Sequence, residues 1–142
     1  GATIVCEGVG NHGCEYMTGG VALILGEVGQ NFAAGMSGGI AYVFDEHRTL
    51  KDRTNMDMVS LKPVDGDDIT LIHSLIEEHV RRTKSPLGIK MLYRFDDIVP
   101  EFVKVIPHEY ERALTLTREA EKQGKSHEDA VEYAFETMRK EM

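Results

Sequence analysis

The chain has 142 residues, 28% of them charged and 42% hydrophobic, which suits one globular domain or two small modules and not a disordered tail. Its 24 acidic residues outnumber 16 basic ones, and the net charge of −8 argues against nucleic acid or an acidic membrane surface as a partner. With no long apolar run, no leader pattern, and in Cys6 and Cys14 too few cysteines for a disulfide framework, a cytoplasmic protein with reduced thiols is predicted.

The chain opens at Gly1 without an initiator Met and reads as a piece of something longer. Composition then divides it. Of the 14 glycines, 11 fall within the first 39 residues, and no Lys or Arg precedes Arg48. This first segment is a repeat. Sliding it by 19 aligns Gly1 with Gly20 and Gly39, and the apolar stretch Ala2 to Cys6 with Val21 to Leu25 and Ile40 to Phe44. Between them Gly10 matches Gly29, and Met17-Thr18-Gly19 matches Met36-Ser37-Gly38.

Short apolar stretches flanked by Gly read as buried strands. A strand, a Gly-rich bend and an equivalent strand at fixed period predict stacked parallel coils, each strand bonded to its copy about 4.8 Å away. A meander of antiparallel hairpins also uses Gly turns but does not require one register across strand and turn together. The expectation is therefore a parallel β-helix of about two coils over residues 1–46, with Cys6, Leu25 and Phe44 in one stacked row. Residues 47–142 follow as connector, capping strand and C-terminal helices, a mainly β protein with a helical tail.

In that second part Asp45 to Asn55 reads as a polar connector, and Met58 to Leu61 as a last strand, ended by Pro63, that could cap the coil edge. Asp67 or Asp68 caps a helix whose Ile69, Ile72, Ile76 and Val80 form an apolar stripe running to about Thr83. Ser85-Pro86 starts a shorter helix through Phe95. Asp96 or Asp97 begins another, containing Phe102 and Val103 and closed by Pro107. Two more follow, His108 to Gln123 ended by Gly124, and one from Ser126 with Ala130, Val131, Ala134, Phe135 and Met138 on one face.

Gly8-Val9-Gly10-Asn11-His12-Gly13 matches the dinucleotide-binding pattern G-x-G-x-x-G after an apolar strand. That pattern needs a helix next, to face the pyrophosphate with its N-terminus, whereas Cys14 to Gly20 leads into another strand. Cys6, His12 and Cys14 are plausible zinc ligands by type, but Cys6 holds an apolar slot, Cys14 the slot of Ala33, and a fourth ligand is missing, so both read as small buried thiols. Asn11, Gln30 and Asn31 read as turn-bonding residues, and Met17 and Met36 as core or corner residues. His73, His79, His108 and His127 read as solvated, and Asp65, Asp67 and Asp68 as a helix start. No nucleophile is paired with a base, so catalytic, cofactor-binding and metal residues are all predicted absent.

Gly10 to Gly20, together with Asn31 to Val43, closely resembles the C-terminal domain of the glutamate synthase large subunit. The resemblance runs on through Met58 to Leu61 and Glu78 to Thr83 and thins beyond Val105-Ile106-Pro107, leaving the last two helices uncovered. It implies a right-handed parallel β-helix. It further implies a parent enzyme that moves the amide nitrogen of glutamine to 2-oxoglutarate with electrons supplied through flavin mononucleotide and an iron–sulfur cluster. The family's N-terminal cysteine nucleophile and three-cysteine cluster have no match here, so the implied role is a scaffold without cofactors of its own. The implied partners are the amidotransferase and synthase domains and an electron-donor subunit. A β-helix subunit of another redox complex, similar to the Gly-rich β-helix carried by formylmethanofuran dehydrogenase, is the alternative. The bare edge of the first coil predicts self-association through residues 1–20 and 31–38.

Overall fold

The structure, a computed structural model, describes residues 2–141. Three strands, β1 (Thr3–Cys6), β2 (Thr18–Ile24) and β3 (Gly38–Phe44), are parallel neighbours, as the repeat requires. The loops between them repeat in backbone conformation too. His12 and Asn31, Cys14 and Ala33, and Tyr16 and Gly35 are left-handed pairs, with φ between 55° and 65°. Each loop lies on the next: the His12 N–H donates to Gln30 O at 2.8 Å, Tyr16 N–H to Ala34 O at 2.8 Å, and Ala33 N–H to Gly13 O at 2.8 Å. Gly20 and Gly39 open β2 and β3 with φ of 82° and 77°, and a Cβ on Gly20 would run into the Ala2 carbonyl oxygen, so only glycine serves there.

The register corrects one expectation. Val21 pairs with Ile40 as the repeat predicts, but Thr3, not Ala2, pairs with Val21. Cys6 therefore stands in a row with Ile24 and Val43, not with Leu25 and Phe44. The second loop carries one more residue than the first, and Leu25 falls in that excess.

After β3 the chain leaves the parallel stack. Asp45 Oδ1 accepts the N–H groups of Thr49 and Leu50 at 3.0 and 3.1 Å and starts a single helical turn, α1 (Leu50–Arg53), inside the expected connector. The Phe32 N–H donates to Arg53 O and Asn55 N–H donates to Phe32 O, so this segment closes the end of the loop stack. Next come β4 (Val59–Pro63), which is the expected strand, and α2 (Gly66–Thr83), whose cap is Asp65 and not Asp67 or Asp68. Asp65 accepts the Asp68 N–H at 2.9 Å while Asp68 Oδ2 accepts the Asp65 N–H at 3.0 Å, a reciprocal capping box. Ser85 caps α3 (Pro86–Tyr93) as predicted, accepting the Gly88 N–H at 3.0 Å.

Beyond α3 the helix predicted up to Pro107 is not formed. A four-residue helix, α4 (Phe95–Ile98), and a 3₁₀ turn at Val99–Glu101 lead into strand β5 (Phe102–Pro107). β5 inserts between β3 and β4, antiparallel to both, so the sheet order is β1-β2-β3-β5-β4. It, and not Met58 to Leu61, covers the edge of β3. The last helices are α5 (His108–Lys122) and α6 (His127–Glu141), with Gly124 left-handed between them, close to the predicted bounds. On α6 only Ala130 and Ala134 are buried; Phe135, expected on the same inward face, is 71% exposed.

The mainly β, right-handed β-helix class is thereby overturned. The chain is 48% helical and 22% strand, and its one sheet is open and mixed, so helices and not further coils supply most of the packing. The parallel run stops at three strands because β5 takes the next place in the opposite direction. The reading as a β-helix subunit of another redox complex loses its premise with that class. Alternating side chains give the sheet two apolar faces. Ala22, Ile24, Ala41 and Val43 pack beneath the stacked loops with Phe32 and Met36. Leu23, Tyr42 and Phe102 face the helices, against Ile72, Ile76 and Met91.

Candidate functional site

The polar residues that the fold draws together lie where helices meet the sheet. Tyr42 points from the centre of β3 towards α2, and its Oη donates to Asp68 Oδ1 at 2.6 Å. Lys104, opposite Tyr42 in the register of β5, brings Nζ to 3.1 Å from the same oxygen and 3.3 Å from Oδ2. The Asp68 side chain is only 7% exposed and that of Lys104 16%. A buried carboxylate left alone would take up a proton, and burial does push Asp68 that way. The Asp65 N–H, the Tyr42 hydroxyl and the Lys104 ammonium outweigh it and hold the carboxyl below its ordinary range. Burial first, and then the bond to Asp68, push the Tyr42 phenol well above its usual value. The hydroxyl is thus a fixed donor and the carboxylate a fixed acceptor, an arrangement suited to joining α2 to β3 and β5 and unsuited to passing protons at neutral pH.

A second cluster ties β1 to the same helical layer. Glu7 Oε2 lies 2.8 Å from His79 Nε2 near the end of α2 and accepts the Ser85 hydroxyl at 2.6 Å. A serine, a histidine and a carboxylate this close invite comparison with a nucleophilic triad. The order is wrong for one, because a relay needs the imidazole between hydroxyl and carboxylate, whereas here the carboxylate stands between the other two. Ser85 is also buried and engaged as the cap of α3. Its hydroxyl, and then His79, hold the Glu7 carboxyl below the usual range. A third tie joins Lys62 on β4 to Glu111 on α5 at 2.5 Å.

Residues singled out by sequence fall elsewhere. Gly8 to Gly13 leads through turns into β2 and not into a helix, so the strand–loop–helix order of the dinucleotide-binding pattern is not formed. Asn11 Oδ1 accepts the Gln30 N–H at 2.8 Å, a bond between stacked loops of the kind expected of it. Met36 is buried and Met17 packs against the same cluster. Cys6 and Cys14 are half-buried, not buried as expected. Burial, and then the nearness of Cys6, push the Cys14 thiol up to about 11, so at neutral pH it is a protonated thiol. His12 is left-handed and exposed, with Nδ1 3.5 Å from Glu15. His79, expected in solvent, has a side chain only 11% exposed. Sequence reasoning missed the Tyr42–Asp68–Lys104 hub; its one local trace is an aromatic residue with a polar tip inside an apolar strand, which needs a partner once buried.

Comparison with known proteins adds to this geometry. A family model described as "GXGXG motif" matches residues 1–108. The chain is 44% identical over 138 residues to "Glutamate synthase [NADPH] large chain" of Bacillus subtilis, a match covering 96% of this chain and 9% of that protein. It is 48% identical over 123 residues to "Glutamate synthase [NADH]" of Schizosaccharomyces pombe, covering 86% and 6%. It is 44% identical over 107 residues to "Ferredoxin-dependent glutamate synthase, chloroplastic" of Spinacia oleracea, covering 75% and 7%. The chain therefore spans less than a tenth of the length of these relatives.

Proposed function

The chain belongs to the GXGXG motif family, and from that premise we propose that it is a non-catalytic structural domain of a glutamate synthase. In this reading it braces the amidotransferase and flavin synthase domains of an enzyme that makes L-glutamate from L-glutamine and 2-oxoglutarate. One observation carries it: the two clusters of reactive side chains that the fold draws together are committed to holding sheet and helices together. Asp68, Tyr42 and Lys104 bond one another, and Glu7, His79 and Ser85 do the same. The relatives' names specify NADPH, NADH and ferredoxin, yet all share this segment, which supports a role independent of the electron donor.

A flavin and an iron–sulfur cluster are implied for the parent enzyme, and in this reading both are held by its other domains. A cluster is held by several thiolates, whereas the chain has two cysteines. A flavin phosphate calls for a helix N-terminus or cationic side chains, and the Gly-rich loop supplies neither, since no Lys or Arg precedes Arg48. The other domains of the same enzyme are the partners proposed.

Co-expression of the chain with the amidotransferase and flavin domains of a glutamate synthase tests this reading. The chain should co-purify with them and, purified alone, should show no glutaminase or synthase turnover and no flavin or cluster absorbance. Turnover or a bound chromophore in the chain alone, or failure to co-purify, would refute it.

A further inference from the structure

α6 is attached to the molecule mainly through α5, and the buried residues of the two helices are Leu116 and Ala120 on α5 and Ala130 and Ala134 on α6. The rest of its apolar surface is less covered, with Val131 and Met138 half-buried and Phe135 exposed. Val131, Phe135 and Met138 recur at four- and three-residue spacing, so they lie along one stripe of the helix. The stripe faces a groove of about 1190 Å³, floored by Ala113 and Tyr110 of α5 and closed on the far side by Thr18, Ser37 and Gly38 at the starts of β2 and β3. Phe135 stands in it 71% exposed, a large apolar surface left in water.

The rim of the groove has a definite sign. Glu128, Glu132 and Glu136 border it from α6 and Glu109 from α5. Of the two arginines at the groove, Arg112 is neutralised by Glu141 at 2.7 Å, leaving Arg139 against four carboxylates. A second copy docked on this groove would bring the same acidic rim against its own kind, and an anionic lipid surface would be repelled. A cationic partner with an apolar face satisfies both halves of the surface. The length suits a helix, since the lining of the groove on α6 runs from Glu128 to Glu141, about 14 residues or ~21 Å of helix.

We propose that the groove between α5, α6 and the strand starts is a docking site for a basic amphipathic helix of another polypeptide segment, with Phe135 as its apolar anchor and Glu128, Glu132 and Glu136 as its counter-charges. Such a helix lays its apolar side on the stripe and its Lys or Arg side chains over the rim, the recognition mode of helix-in-groove complexes. This goes beyond the bracing role and does not depend on the chemistry of the parent enzyme.

The test uses the 142-residue chain and a fluorescent synthetic peptide of Leu and Lys in amphipathic order, about 14 residues long, beside the same peptide with Glu for Lys. The Leu–Lys peptide should bind saturably, one per chain, and weaken steeply with added salt, while the Leu–Glu peptide does not bind. Phe135→Ala and the double variant Glu132→Lys/Glu136→Lys should each raise Kd about tenfold or more. Because Phe135 is mostly exposed and the buried Ala130 and Ala134 are untouched, both variants should keep the circular dichroism and melting temperature of the parent. Binding unchanged by both variants, or no saturable binding of the Leu–Lys peptide, would overturn the proposal. A parent chain that sediments as a dimer and that Phe135→Ala turns into a monomer would overturn it in favour of a second copy.

Discussion

Replacing Tyr42 by Phe removes one oxygen from the centre of the molecule. The ring still fills its place between β3 and α2, so no cavity opens, and only the 2.6 Å bond to Asp68 is lost. Asp68 keeps Lys104 and the Asp65 N–H, so its carboxylate stays partnered though less fully. A bond to a charged group contributes about 1.5–3 kcal/mol, which for a chain of this length lowers the melting temperature by roughly 5–10 °C. The pH dependence adds a sharper test. Folding holds the Asp68 carboxyl below its ordinary value of 3.8, so its stabilisation is present above that pH and is lost as the pH falls below it. Folding raises the Tyr42 phenol above its ordinary value of 10.0, so the stabilisation it gives is whole below that pH and declines as the pH rises beyond it. The gap between parent and Tyr42→Phe should therefore be widest near neutrality and narrow on both sides. Urea melts followed by far-ultraviolet circular dichroism across this range measure it. A gap below about 0.5 kcal/mol at neutral pH, or one that does not change with pH, would refute the account of the hub.

Gly20→Ala should cost about 2 kcal/mol or more, because a left-handed backbone and the Ala2 carbonyl both oppose a Cβ, whereas Gly66→Ala, where nothing lies within reach, should be neutral or stabilising by up to ~1 kcal/mol; equilibrium urea melts of the two separate them. Leu25→Ala empties a buried position against the helical layer and should cost about 2–5 kcal/mol in the same assay, despite Leu25 lying outside the strand rows. β1 bonds only to β2 and Ile4 on it is 55% exposed, so the chain in isolation should self-associate through this edge, and Ile4→Lys should shift sedimentation towards monomer; a parent already monomeric at high concentration would contradict this.

Local sequence was enough wherever a feature is made from neighbours along the chain. The glycine-punctuated period is written into the loops residue by residue, since His12 and Asn31, Cys14 and Ala33, and Gly20 and Gly39 share left-handed backbone across copies. Ser85-Pro86 and the break at Gly124 mark helix ends through bonds and φ angles that adjacent residues decide. What the tertiary structure alone decided is long-range. Phe102 to Pro107 has few residues and no strict alternation, and it becomes a strand because β3 and β4 offer it backbone partners on both sides. That one insertion turns a stack of parallel coils into an open mixed sheet. Pairing Cys6 with Ile24 instead of Leu25 is set by the register of β1 against β2, two strands far apart in the chain, and the hub needs Tyr42, Asp68 and Lys104 from three separate elements. Strand pairing and buried ion pairs derive their energy from partners far apart in the chain, so no window of local sequence contains them.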